Sequence, residues 1–232
     1  MCIQEFDALN ILCARHTMLC DHRKDMHMKI AVYGASGYTG KLVVAELVRR
    51  DIGLVLVGRD VERLRRTAAG AATSAESRHA DVDDHDGLVR AFRGCDAVVN
   101  CAGPFILSGE AVVRAAIAAG CHYVDIAGEQ SYLQRVFDTF AADAETAGVT
   151  IVPAANDDGL PSDLLAHLVA GRVGPVRDLM VGLGLVRTGA TASRGTLRSA
   201  LGDNETVASG GRGYEKRRGP QENGAPRTAG TI

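Results

Sequence analysis

Lys29-Ile30-Ala31-Val32-Tyr33-Gly34-Ala35-Ser36-Gly37-Tyr38-Thr39-Gly40 decides the fold. A short apolar strand runs directly into glycines spaced G-x-x-G-x-x-G, and an amphipathic helix starts on the last of them. That pattern is a phosphate-binding turn. Gly34 lets the chain leave the strand sharply, and Gly37 lets the backbone come close to a pyrophosphate. Gly40 lets the helix lie against the sheet with its N-terminal amides aimed at the anion. Ser36, Tyr38 and Thr39 fill the turn and join the three glycines as candidate cofactor contacts. The stretch is read as the site of a mononucleotide or dinucleotide.

Outward from this turn the chain alternates strand and helix with short connections. The apolar periodicity predicts strands at 29–34, 54–57, 78–82, 97–101, 122–126 and 150–154. Helices are expected at 39–50, 62–68, 86–93, 111–119 and 131–147. Several strands are continuous Val/Ile/Leu runs without alternation, the pattern of a parallel sheet covered by helices on both faces. The fold class is α/β, a doubly wound, Rossmann-like parallel sheet, followed by an incomplete α+β second domain.

The end of the second strand bears on which nucleotide is held. NAD-binding sheets usually carry Asp or Glu there, to accept hydrogen bonds from the ribose hydroxyls. Here the slot is Gly58, and Arg59 follows. A guanidinium grips a 2′-phosphate with charge-assisted bonds, whereas a carboxylate repels it. NADP is therefore favoured over NAD. Asp60 is read as the cap of the following helix. Asp81, at the end of the third strand, either meets the adenine edge or caps the next helix. The fourth strand ends in Asn100-Cys101-Ala102-Gly103-Pro104-Phe105. Ala102 and Gly103 are small enough for backbone to approach the ribose and nicotinamide, and Pro104 stiffens the exit. Asn100 and Cys101 are read as packing and hydrogen-bonding residues, since no activating partner for a Cys nucleophile is identifiable.

Composition sets the outer bounds. The 232 residues suffice for one large α/β domain or a domain plus part of another. With no Trp and 4% aromatic residues, the core must be built from Val, Leu, Ile and Ala. A formal charge of −2 offers no electrostatic reason to expect nucleic acid. No apolar run approaches a membrane span. Cys95, Cys101 and Cys121 fall in or beside strands as buried thiols. Cys2, Cys13 and Cys20 lie near His16, His22 and His27 without metal-ligand spacing, so no metal is expected. The cytoplasm is the expected location, a small molecule the expected partner, and homo-oligomerisation is left open.

Four segments follow from the pattern. Residues 1–27 lack periodicity and are read as a loosely ordered extension, with 28–155 as the nucleotide-binding domain. Residues 156–201 begin a substrate domain, with a strand at 179–186 and a helix from 196. Residues 202–232 are Gly-, Arg-, Glu- and Pro-rich without apolar periodicity, the composition of a disordered tail. Their Lys216-Arg217-Arg218 cluster is largely balanced by acidic neighbours.

Taken in order, four motifs resemble one family. They are Gly34-Ala35-Ser36-Gly37-Tyr38-Thr39-Gly40, Val57-Gly58-Arg59, Val98-Val99-Asn100-Cys101-Ala102-Gly103-Pro104-Phe105 and His122-Tyr123-Val124-Asp125-Ile126-Ala127-Gly128-Glu129. Together they resemble the saccharopine dehydrogenase-like reductases, including the bacterial trans-acting enoyl reductases. Gly159-Leu160-Pro161-Ser162-Asp163-Leu164 is similar to the family's segment after the sixth strand, and Ser193-Arg194-Gly195-Thr196 with Ser199 to a later turn and helix. The resemblance implies an NADP-dependent oxidoreductase with a following substrate domain. Family members run on well beyond Ile232, so the expectation is a truncated second domain and a chain whose turnover is compromised. No catalytic side chain is assigned. Asp125, Glu129 and Asp163 are read as structural carboxylates. Two other reductase classes fit less well. N-acetyl-γ-glutamyl-phosphate reductases need a Cys later than Cys121, and short-chain dehydrogenases need a Tyr-x-x-x-Lys pair that is absent. A non-catalytic NADP-binding sensor or scaffold is the alternative from another class.

Overall fold

A computed structural model describes residues 28–156, 159–174 and 176–180. The elements in chain order are β1 (Lys29–Tyr33), α1 (Tyr38–Arg49), β2 (Gly53–Gly58), α2 (Val61–Gly70), β3 (Glu76–His79), α3 (His85–Phe92), β4 (Ala97–Asn100), α4 (Phe105–Ala118), β5 (His122–Asp125), α5 (Gln130–Ala147), β6 (Ile151–Val152) and α6 (Gly159–Val173). The strands form one parallel sheet in the order β3-β2-β1-β4-β5-β6. Strand order reverses between β1 and β4, so a crevice opens at their carboxyl ends, where ligands of such sheets bind.

Alternation along the strands explains the unbroken apolar runs. Ile30, Val32, Leu54 and Leu56 pack with Val44 of α1 and Leu64 and Ala68 of α2. Their neighbours Ala31, Tyr33, Val55 and Val57 face the other way, with Val98, onto Leu88 and Phe92 of α3, Val112 and Val113 of α4, and Tyr132 and Phe140 of α5. Both faces of β1 and β2 are thus dry. Each Val or Leu buried this way contributes roughly 1.5–3 kcal/mol against exposure.

Four elements depart from the sequence reading. α4 starts at Phe105, six residues ahead of the expected 111. Its first turn is supported from outside the segment: the Phe105 N–H donates to Glu129 Oε1 at 3.1 Å. Gly109 lies inside the helix, where a Cβ would collide with the Tyr132 ring, so the close approach of α5 requires glycine there. β3 runs over Glu76–His79 rather than 78–82, since its register pairs Val55 with Glu76 and Gly58 with His79. β6 is two residues long, shorter than expected. α6 has no counterpart in the expected elements. Asn156 Oδ1 accepts from the Gly159 N–H at 2.5 Å and so opens it, and none of its residues is buried. Leu179 and Met180 lie in no strand, and the rest of the expected 179–186 strand falls outside the described residues. So do the 1–27 extension, the helix and motifs at 193–201 and the 202–232 tail.

Candidate functional site

The glycine turn sits at the carboxyl end of β1, on the lip of the crevice. Gly34 has φ +76°, a left-handed conformation that L side chains rarely adopt. The Gly34 N–H donates to Val57 O and the Gly37 N–H to Gly34 O, both at 2.9 Å, which closes the turn. A Cβ on Gly40 would run into the Gly34 carbonyl and the Ala35 backbone, so α1 lies directly on the turn. Gly37 caps α1 without a side chain, and no side chain bonds the helix's first amides. The first N–H groups of a helix have no partner inside it. Here they point outward at the positive end of the helix dipole, with Tyr38 exposed and Ser36 and Thr39 half-buried beside them. A backbone cradle of unclaimed donors, kept open by absent side chains, fits a phosphate group.

The ends of β1, β2 and β3 gather next to it. The Tyr33 hydroxyl is pushed up to about 12, first by burial and then by the Asp81 carboxylate, with Arg59 opposing and Asp83 adding to the effect. The Asp81, Arg59 and Asp83 charges thus act on one hydroxyl. Arg59 is exposed and has no hydrogen-bond or ion-pair partner among the described residues. Asp60 caps α2 as expected: its Oδ1 accepts from the Arg63 N–H at 3.0 Å. The capping role left open for Asp81 belongs to Asp84, whose Oδ1 accepts from the Gly87 N–H at 2.9 Å. Asp81 instead holds a local turn, accepting from the Asp83 N–H at 3.3 Å.

Across the crevice, β4 ends against the same turn. A Cβ built on Gly34 would lie 2.9 Å from the Ala102 methyl. Gly103 is exposed and precedes a cis peptide to Pro104, which caps α4. The fold therefore draws together the glycine turn and Ala102-Gly103-Pro104, with Arg59 and Asp81 along the β2–β3 side. Burial, then the nearby Asp125 charge, pushes the Cys101 thiol up to about 12, which disfavours the thiolate there.

The Asp125 and Glu129 carboxylates, at the end of β5 and just beyond it, are both engaged. Asp125, wholly buried, accepts four hydrogen bonds: Tyr123 OH at 2.9 Å, Tyr132 OH at 2.7 Å, and the N–H groups of Ala127 at 3.0 Å and Ala154 at 2.9 Å. Glu129 accepts from Phe105 and Gly128 N–H groups, each at 3.1 Å. Asp163 lies exposed on α6. The two tyrosines escaped the sequence reading. Tyr123 and Asp125 stand two apart on a strand, hence on one face, which is a usable signal. Nothing local announces Tyr132. Among the described residues no group of three or more His, Cys, Asp or Glu is placed to hold a metal. No described helix is long and apolar enough to cross a membrane.

The chain is similar to several known proteins. The chain is 34% identical over 146 residues to "Lipid droplet localized protein" of Caenorhabditis elegans, covering 58% of this chain and 34% of the relative. It is also 34% identical over 149 residues to an Arabidopsis thaliana protein named as a mitochondrial saccharopine dehydrogenase-like oxidoreductase, with 58% and 33% covered. The chain thus matches about a third of each relative's length. Among solved structures, apo saccharopine dehydrogenase (L-Glu forming) from Saccharomyces cerevisiae superposes with a TM-score of 0.52 at 18% identity, over 62% of this chain and 31% of that one. That likeness carries the fold alone. The model for the saccharopine dehydrogenase NADP binding domain matches residues 30–152, more than half of the sequence and the whole span from β1 to β6, so the chain belongs to that family and NADP is its nucleotide.

Proposed function

We propose that this protein is an NADP-dependent oxidoreductase that moves a hydride between the nicotinamide and a C=N, C=O or C=C bond of a small-molecule substrate. The observation that carries the reading is the meeting of Gly34 and Ala102 at the β1/β4 reversal, beside an uncapped helix N-terminus. In this reading the amides after Gly37 receive the pyrophosphate, with Ser36, Tyr38 and Thr39 around it, while Arg59 grips the 2′-phosphate and Asp81 meets the adenine edge. Ala102, Gly103 and Pro104 form the wall beside the nicotinamide ribose. NADPH, when bound, supplies the hydride, and the protein supplies orientation and exclusion of water. Cys95, Cys101 and Cys121 are unpaired thiols, which supports a reducing compartment such as the cytoplasm.

Calorimetric titration with NADPH and, separately, NADH tests the reading, since the absence of Trp removes the usual quenching signal. NADPH is expected to bind more tightly. Arg59→Ala is expected to weaken NADPH about tenfold (~1.4 kcal/mol) and leave NADH unchanged. No binding of either nucleotide by folded protein sinks the proposal. A second reading, an NADP-binding sensor without turnover, draws support from the committed state of Asp125, Glu129 and Cys101. NADPH oxidation with a carbonyl, imine or enoyl acceptor excludes it, whereas a stable complex that never turns over favours it.

A further inference from the structure

Behind the crevice wall lies a buried chain of polar groups. The Ala102 N–H donates to Asn100 Oδ1 at 2.9 Å, and Asn100 Nδ2 donates to Tyr123 OH at 3.0 Å. Tyr123 OH in turn donates to Asp125 Oδ2 at 2.9 Å. From Asp125 the chain reaches Tyr132 and the backbone after β5 and β6. Asn100 and Asp125 are wholly buried, and Tyr123 is 2% exposed. Polar groups this deep are tolerated only when every member is satisfied, and an apolar set of the same volume would fill the space with less penalty. Packing alone therefore does not account for the chain.

Its outer end does. Ala102 is the residue that lies against Gly34, so its backbone fixes the width of the crevice at the reversal. Asn100 alone makes a local turn with Ala102, but a free Asn side chain would carry that turn through its own rotamers. Anchoring Nδ2 to Tyr123, and Tyr123 to a carboxylate held by four donors, removes that freedom. Resting on the nucleotide reading above, we propose that Asn100, Tyr123 and Asp125 are positioning residues. They hold the Ala102–Gly103 backbone in register with Gly34 and so set the nicotinamide side of the site, leaving the adenosine side to Arg59 and Asp81.

A split between whole and partial ligand tests this. Adenosine 2′,5′-bisphosphate carries the adenosine half of NADPH and lacks the nicotinamide. Tyr123→Phe cuts the chain in the middle, and Asn100→Ala cuts it at the outer end. In both variants, checked for folding by thermal melts, NADPH is expected to bind about tenfold more weakly, the scale of one lost buried hydrogen bond. Adenosine 2′,5′-bisphosphate should keep its wild-type affinity. Phe140→Leu is the control: it trims a buried core side chain that takes no part in the polar chain, and is expected to lower the melting temperature without the split. Equal losses for both ligands, no loss for either, or the same split in Phe140→Leu overturns the positioning role. Wild-type protein that binds no NADPH overturns the nucleotide reading as well, so the two failures are distinct.

Discussion

The sheet has two halves, β3-β2-β1 and β4-β5-β6, and they hold their strand ends by opposite means. The first half works by subtraction. Gly34, Gly37 and Gly40 leave out side chains so that backbone meets backbone, and Asp60 and Asp84 cap their helices from exposed positions. The second half works by addition. Asn100, Asp125 and Glu129 are all buried: Glu129 binds the Phe105 N–H across 24 residues of sequence, Asp125 the Ala154 N–H across 29, and Asn100 the Tyr123 hydroxyl across 23. A turn that must admit a ligand needs empty space and free amides. A wall that must stay in place needs internal bonds, because a buried donor without a partner costs about 1–3 kcal/mol.

The largest effect is expected in the second half. Asp125→Ala deletes the acceptor of two tyrosine hydroxyls and two backbone amides inside the core. Breaking a buried network on one side leaves its donors unpaired, and the expected loss is about 4 kcal/mol by urea unfolding. A loss below about 1 kcal/mol, within the range of an ordinary surface change, would break the comparison. Gly40→Ala is the counterpart in the first half. Alanine raises helix propensity by up to about 1 kcal/mol over glycine. Its Cβ, however, meets the Gly34 carbonyl and Ala35 backbone, which cannot rotate away as a side chain could. The net expectation is destabilisation of about 2 kcal/mol, and, if the glycine turn receives the pyrophosphate as proposed, NADPH affinity lost beyond the folded fraction. A stable variant with normal NADPH binding would show that helix and turn need no close contact.

The same division decides what could be read in the chain. The first half is written locally. Its glycine spacing, apolar runs and Asp60 cap occupy adjacent positions, and the parallel sheet follows from the strands' unbroken Val and Leu. The second half is written across distance. The helix expected at 111–119 is only the later part of α4. Its true start depends on Glu129, and its tolerance of Gly109 depends on the Tyr132 ring. The partners of Asp125 at Ala154 and Tyr132 become neighbours only after β6 and α5 are in place. β3 is the exception within the first half: pairing with β2, rather than its own residues, sets its extent.

Arg59 and Asp60 sharpen the comparison within two residues. They carry opposite charges on the same loop, and composition alone would call them a neutral pair. The geometry separates them. Asp60 is engaged with the Arg63 N–H at the start of α2, while Arg59 has no partner among the described residues. Asp60→Ala is therefore expected to lower stability by about 1 kcal/mol, the usual effect of losing an N-cap, read as a shift in the urea midpoint. The ratio of NADPH to NADH affinity should not move. Arg59→Ala should do the reverse, changing that ratio without changing the midpoint. The contrast is informative because both variants remove one charge at nearly the same place. A purely electrostatic influence on the nucleotide would move the ratio in both, in opposite directions. A ratio that rises in Asp60→Ala would mean that its carboxylate, although bound to an amide, still opposes the 2′-phosphate, and that the choice of NADP rests on the net field of the loop rather than on one guanidinium.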